Sequence, residues 1–226
     1  MNLSRTTVWM SAVLSILAAI VVAGCGDTAE APTAPAPRPS IEIRELPPLG
    51  VEESQAAIRV LAASEVDPRS VRRVTVPGEC GGLGFASLSE AVEHADAIVV
   101  GRVTAVEFLF DGETRQLAQL DVEEVIRGNP NQRYVLNITG GPREIDGQLS
   151  LTQHPTNPLV LPGDRGIFLL QRMSLTAAFV PQGYSGQFRL GIGGAIETVL
   201  GNPFASEIAK LDEVSLLKTI RKLARG

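Results

Sequence analysis

The feature that most constrains the fold is a change of hydrophobic period near residue 97. Residues 98–110 are rich in Val and Phe and contain Gly101, a pattern typical of a long strand that bends or bulges at the glycine. Asp111 and Gly112 follow as a hairpin-turn signal, and a return strand is predicted over residues 114–126. The block therefore predicts a long antiparallel hairpin.

Shorter strand patterns follow the hairpin at spacings of roughly 10 residues. Alternation predicts a strand that Gly140, Gly141 and Pro142 end. Six to eight strands with turn residues between them favour a barrel or sandwich over a parallel sheet. The other predicted strands are residues 134–139, 148–152, 167–173, 187–192 and 195–199.

Helical patterns lie on both sides of the strand region. Ser87 and Glu90 have capping-box spacing and predict a helix of about two turns before the first long strand. Residues 212–224 carry a broad apolar stripe and basic residues in their last turns, as in an amphipathic helix. A further helix at 51–64 and a strand at 71–76 are either an appendage or the start of the main sheet.

The N-terminus has the composition of a secretory signal. Arg5 is the only charge before a largely apolar run of 15 residues from Val8 to Val22, which is too short to span a bilayer comfortably. The next residues, Val-Ala-Gly-Cys at 22–25, resemble the lipobox of bacterial lipoproteins. The alternatives are an ordinary cleaved signal with an incidental cysteine, or a single anchoring helix.

The lipobox resemblance implies that Cys25 is acylated and becomes the mature N-terminus. Residues 26–48 contain six prolines and almost no periodic apolar pattern, which predicts an extended, semi-rigid spacer. The protein is therefore expected in an extracytoplasmic location, lipid-anchored to the bacterial cell envelope membrane. The predicted organisation is a signal peptide at 1–24, a Pro/Ala-rich tether at 25–50, a small helix-strand segment at 51–85, and a barrel domain with a C-terminal helix at 86–226.

Charge and aromatic content argue against nucleic-acid binding. The full chain has 20 basic and 25 acidic residues, and the signal removes one arginine and no acid, so the mature net charge is −6. A nucleic-acid-binding protein normally shows a basic excess. The only tryptophan, Trp9, lies in the signal, so seven Phe and two Tyr supply all the aromatic surface for stacking sugars or bases.

The two cysteines cannot form a disulfide framework if Cys25 is acylated. Cys80 is then the only thiol left in the mature chain. The favoured interpretation is a buried structural thiol, with intermolecular pairing or redox use as alternatives.

Residues 86–200 carry a second resemblance. They include SLSEAVEHADAIVVGRVTAVE, LDVEEVIRGNP, LVLPGDRGIFLLQR and SGQFRLG. Together these look like a class of bacterial secreted proteins of unknown function, whose domains are similar in layout to the OB-like barrel of tissue inhibitors of metalloproteinases and netrin-like modules. The resemblance implies a mainly β fold, a small OB-like antiparallel barrel. Protease inhibition is not carried over, because those inhibitors use a free N-terminal cysteine, whereas Cys25 would be acylated and far from the barrel, and because this chain cannot make their several disulfides.

No catalytic constellation is recognisable. Glu90 and His94 are four residues apart on one predicted helix, a spacing that can present two metal ligands, but no further ligand spacing follows and a solvated helix face is the favoured interpretation. GYSG at 183–186 lacks the G-x-S-x-G offset, and nothing in the spacing brings Cys80 to His94. We therefore predict no enzyme activity, no cofactor and no metal site.

Long loops favour a binding module. Residues 140–147, 154–166 and 181–186 are longer than simple hairpins need, and long loops on a rigid scaffold often carry binding function. The expected partners are the membrane, through the lipid anchor, and an envelope protein, but no nucleic acid. A structural envelope accessory lipoprotein and an unrecognised hydrolase are the alternative functions. The predicted contact residues are Arg143, Asp146, His154, Asp164, Arg165 and Tyr184.

Overall fold

The computed structural model describes residues 51–63, 66–76, 85–173, 178–199 and 201–226, so the signal, the tether with Cys25, and Cys80 lie outside the described residues. The helices are α1 (Val51–Ala63), α2 (Leu88–Glu93), α3 (Ala205–Ile208) and α4 (Glu213–Arg225). The strands are β1 (Arg72–Thr75), β2 (Ala97–Phe110), β3 (Thr114–Arg127), β4 (Val135–Ile145), β5 (Gln148–Gln153), β6 (Arg165–Arg172), β7 (Phe179–Pro181), β8 (Gln187–Leu190) and β9 (Ile196–Thr198).

Five of these strands close into a barrel. Strand β2 pairs with β3, β3 with β4, β4 with β7, β7 with β6, and β6 again with β2. All the pairings are antiparallel except that of β4 with β7, which meet in parallel at Leu136 and Phe179. A closed five-stranded barrel of this kind is OB-like. The predicted fold class is confirmed, including the short helix before the first long strand and the C-terminal helix.

Strand β4 belongs to two sheets, and the prediction that it ends at Gly140 was wrong. Residues 135–139 pair with β3, whereas residues 140–145 pair with β5. Gly140 and Gly141 have φ values of 124° and 151°, which let the strand change direction without ending. In the segment 140–147, residues 140–145 are therefore strand and only 146–147 form a tight turn, so the long loop that the sequence predicted there is wrong.

Two short extensions continue the sheet beyond the barrel. On one side β5 pairs with β4, and β1 adds to β5 in parallel. On the other side β8 pairs with β6, and β9 adds to β8. Helix α1 contacts β4, and its Leu61 joins Val71 and Leu136 in one buried cluster. Helix α1 and the residues just before β1 therefore pack against the core of the barrel.

The strands of the barrel wall bury both of their faces. Val99 and Phe168 belong to the cluster that fills the barrel, whereas Ile98 and Ile167 belong to a second cluster outside it. The second cluster also includes Ile220 of α4. A strand buried on both faces has a nearly continuous apolar run, which explains the sequence AIVV at the start of β2.

Helix α2 is capped at both ends by side chains. The Ser87 hydroxyl accepts a hydrogen bond from the Glu90 N–H at 3.2 Å, as the capping-box spacing predicted. At the other end the Arg127 guanidinium donates to the carbonyl oxygens of Glu93 and Ala95 at 3.1 and 3.2 Å. Arg127 also donates to a carbonyl near the end of α4, so one cation joins both helix C-termini to strand β3.

An ion pair between Arg221 and Glu124 attaches α4 to β3. Arg221 Nε lies 2.8 Å from Glu124 Oε1, and Arg221 Nη2 lies 2.6 Å from Oε2. The hydrogen bonds from Arg221 lower the pKa of the Glu124 carboxyl despite its partial burial. Both side chains are more than a third exposed, so solvent screens the pair.

We predict a small, acid-sensitive contribution to stability from Glu124. Because the folded-state pKa is lowered, the stabilisation is present above the unfolded-state pKa of about 4.3 and is lost as the pH falls through the lowered value. E124Q should reduce the free energy of unfolding by about 0.5 to 1 kcal/mol at pH 7. Urea unfolding at neutral and acidic pH tests this.

The matched control is E144Q, which changes an exposed glutamate on β4 and should have no comparable effect. If E124Q lost the same stability below the lowered pKa as at neutral pH, the ion pair would not be the cause.

Candidate functional site

Two adjoining clefts lie where the two sheet extensions meet loop 154–164. The larger has a volume of about 520 Å³ and the smaller about 200 Å³. They share Arg189 of β8 and Glu197 of β9. The larger is also lined by Arg69, Arg102, Gly163, Asp164, Arg165, Leu190, Gly191 and Ile192. The smaller is also lined by Arg73, Thr75, Gln153, Pro155, Pro158, Gln187, Thr198 and Val199.

The turn at residues 161–164 supports the larger cleft. The Asp164 carboxylate accepts a hydrogen bond from the Leu161 N–H at 2.8 Å, and the Asp164 N–H donates to the Leu161 carbonyl at 2.9 Å. Val103 of β2 exchanges backbone hydrogen bonds of 2.8 Å with Gly163 and Asp164. Gly163 has a φ of 88°, in the region that favours glycine. The turn is therefore held against the barrel wall.

Three arginines from separate elements converge on this turn. Arg69 donates to the Pro162 carbonyl at 2.7 Å and to Asp164 at 3.0 Å. Arg102 of β2 donates to the Gly163 carbonyl at 3.0 Å. Arg189 of β8 donates to the Leu159 carbonyl and lies 3.9 Å from Asp164 Oδ2. A single carboxylate thus faces two guanidinium groups.

Arg165 is already paired within the protein. Its guanidinium lies 2.7 Å from a carboxylate oxygen of Glu123 and 2.8 Å from one of Glu213. Hydrogen bonds to these two carboxylates raise the pKa of Arg165, and the same contact lowers the pKa of Glu123. Arg165 therefore joins α4 to the barrel. Because two carboxylates already neutralise its guanidinium, it would contribute little to binding an anionic ligand.

Arg73 has the opposite electrostatic environment. Although the side chain as a whole is exposed, partial burial of its guanidinium lowers its pKa, and Arg189 and Arg69 lower it further against the opposing effect of Asp164. Among the described residues, the side chain of Arg73 has no hydrogen bond or ion pair. A cation that is desolvated and repelled by its neighbours gains from a bound anion.

The smaller cleft is also lined by two glutamines whose buried amide oxygens have no donor among the described residues. Gln187 is buried, with 1% of its surface exposed, and its Nε2 donates to Asn157 Oδ1 at 2.6 Å. This bond fixes the orientation of the amide, so Oε1 is the free acceptor. Within the described part of the chain, Gln187 Oε1 and Gln153 Oε1 have no hydrogen-bond partner. Both residues line the cleft next to Arg73.

Asp164 and Arg165 are the two sequence-predicted contact residues that line the larger cleft. His154 is half-buried and directly precedes Pro155, which lines the smaller cleft. The His154 Nδ1 lies 2.7 Å from the Thr156 hydroxyl. His154 therefore supports the turn at 154–157, where it also forms a bridge with Asn157.

The remaining three predicted contact residues lie elsewhere. Arg143 is in β4 and only 4% exposed, so its placement in a surface loop was wrong. Asp146 lies in the tight turn after β4, with a φ of 55°. Tyr184 is in a 3₁₀ turn at Gly183–Ser185, and its side chain lies outside the described residues.

Sequence reasoning missed Arg69, Arg73, Arg102 and Arg189. Arg69 and Arg73 belong to the basic stretch RSVRR, which is a visible charge cluster. Arg102 and Arg189 are single arginines within apolar strands and carry no comparable signal.

The Glu90–His94 pair is a local contact in α2. His94 Nδ1 lies 2.9 Å from the Glu90 carbonyl oxygen, and the His94 ring is 5.1 Å from the ring of Phe85. In the described ranges, no group of three or more His, Cys, Asp or Glu residues is arranged to hold a metal ion. No helix among the described residues has the length and apolar character to cross a bilayer.

No protein-family model matches the chain, and no curated protein matches it.

Proposed function

We propose that this protein is a lipid-anchored extracytoplasmic binding module whose arginine-lined clefts hold an anionic ligand. Arg73 carries the proposal, because its guanidinium lines a cleft and is partly desolvated, its pKa is lowered, and its side chain has no hydrogen bond or ion pair among the described residues. The membrane anchor rests on the lipobox-like residues 22–25. The tether at 25–50 would carry the barrel away from the lipid surface.

The ligand chemistry follows from the guanidinium group. Arginine binds carboxylates and phosphates through two parallel N–H···O bonds. Arg73 and Arg189 line the same cleft, so a ligand with two anionic oxygens can contact both. The acidic net charge of the chain makes this local excess of arginine a distinctive surface for such a ligand.

Binding of small anions to the mature chain tests the proposal. Citrate supplies carboxylates and pyrophosphate supplies phosphates, and isothermal titration calorimetry at low ionic strength would measure each. R73A should weaken binding of the preferred anion by about tenfold, because one close charge-assisted contact is lost. The preferred anion distinguishes carboxylate from phosphate recognition.

R72A is the matched control. Arg72 and Arg73 are neighbours on β1, both exposed, and strand geometry places their side chains on opposite faces. R72A removes the same charge and should leave anion affinity within about twofold. Equal losses of affinity in R72A and R73A would show that binding depends on net charge and not on a contact with Arg73. If neither anion bound the wild-type chain, the proposal would be contradicted.

A further inference from the structure

We infer that the ligand is an extended acidic peptide segment of a partner protein, which lies along both clefts. This inference rests on the proposed anion-binding function and names its partner. The two clefts adjoin through Arg189 and Glu197, so the binding surface is elongated and not a single compact pocket. An elongated surface suits a chain with several anionic groups better than one small anion.

Guanidinium groups are present along this surface. Arg73 lies in the smaller cleft, Arg189 is shared, and Arg69 and Arg102 line the larger cleft. Three of these side chains already donate to backbone carbonyl groups of residues 159–163, which fixes their positions; they are Arg69, Arg102 and Arg189. Pre-positioned arginines lose little conformational entropy when acidic side chains bind them.

The two glutamines that line the smaller cleft favour a ligand that can also donate hydrogen bonds. Gln187 Oε1 and Gln153 Oε1 are buried acceptors without partners in the described part of the chain, and both residues line the cleft that holds Arg73. Citrate and phosphate ions offer few or no donors at neutral pH. A peptide supplies one backbone N–H per residue together with its carboxylates, so it satisfies both the arginines and the glutamines.

Ile192 adds an apolar contact at the larger cleft. It is fully exposed in a short turn where Gly193 and Gly194 have φ values of 80° and 81°. A peptide with an apolar side chain beside its acidic ones would cover Ile192. An acidic saccharide fits less well, because no aromatic ring among the described residues lines either cleft to stack on a sugar.

The probe is a fluorescein-labelled peptide of alternating glutamate and leucine, about eight residues long, since an extended chain covers about 3.3 Å per residue. Fluorescence anisotropy with the mature chain measures its affinity. A peptide of alternating glutamine and leucine tests the need for charge, and an oligouronate of equal charge represents the saccharide. We expect the glutamate peptide to bind about tenfold or more tightly than either.

I192S is the variant that separates the peptide from the anion. It should weaken the glutamate peptide about fivefold and citrate by a clearly smaller factor, because only the peptide has an apolar side chain that can cover Ile192. V214S, which alters another exposed apolar residue on α4, is the matched control and should change neither.

The outcomes distinguish the two levels of the proposal. If citrate or pyrophosphate binds in an Arg73-dependent way but the glutamate peptide binds no better than the glutamine peptide, the peptide inference is overturned and the anion site stands. Tighter binding of the oligouronate would overturn it in favour of a saccharide. If no anionic probe binds, both fail.

Discussion

Replacing Gly140 by alanine should destabilise the protein by about 3 to 5 kcal/mol, because two separate costs add. Gly140 has a φ of 124°, a conformation that residues with a side chain rarely adopt. A Cβ atom at this position would lie 2.5 Å from the backbone oxygen of Thr152 and 3.3 Å from the Cα of Gln153. The backbone cannot give way easily, because Gly140 and Gly141 pair with Gln153 and Thr152 in the ladder between β4 and β5.

G147A is the matched control. Gly147 also has a positive φ, 71°, but no atom lies within 4 Å of its added Cβ. G147A therefore has only the conformational cost, about 1 to 2 kcal/mol. Chemical denaturation of both variants measures the difference. If the two lost equal stability, the close approach of β4 to β5 would not be the reason that residue 140 is glycine.

The same glycines show where sequence reasoning about the fold fails. A Gly-Gly-Pro run is typical of a strand end, and only the pairing with β5 reveals that β4 continues through it. The hairpin of β2 and β3 was predictable because Asp111 and Gly112 mark a turn between two long strand patterns, the first of them rich in Val. Strand β7 has only three residues, too few to show any period, although its pairing with β4 closes the barrel.

The clefts were less predictable than the barrel for a related reason. Asp164 and Arg165 were predicted because they are polar residues in the long loop 154–166, a local signal. Arg73 reaches the site because β1 adds in parallel to β5, which places it beside Leu151 and on the same face as Gln153. Arg189 enters from β8, more than a hundred residues later. Only the sheet order brings these residues together, and local periodicity contains no information about it.

The second large effect concerns Cys25. C25S should abolish incorporation of an alkyne-tagged fatty acid into the protein, because in the proposed lipoprotein the Cys25 thiol, in the lipobox-like residues 22–25, is the one that would be acylated. Two acyl chains anchor a protein stably, whereas a single chain gives only marginal, reversible binding. The variant should therefore also lose the detergent-phase partitioning of the wild-type protein. In-gel fluorescence of the tagged lipid and intact mass of the N-terminal peptide are the measurements.

C80S is the matched control, since it changes the only other cysteine in the chain. If Cys25 is the lipidated residue, C80S retains the label, the detergent partitioning and the same mature N-terminus. Labelling that persisted in C25S and disappeared in C80S would assign the acyl group to Cys80 and contradict the lipobox interpretation. A mature wild-type chain that began elsewhere without a lipid would make the N-terminus an ordinary cleaved signal. In that case the segment 25–50 would not connect the barrel to a membrane. The anion-binding proposal for the clefts would still be testable on the processed protein.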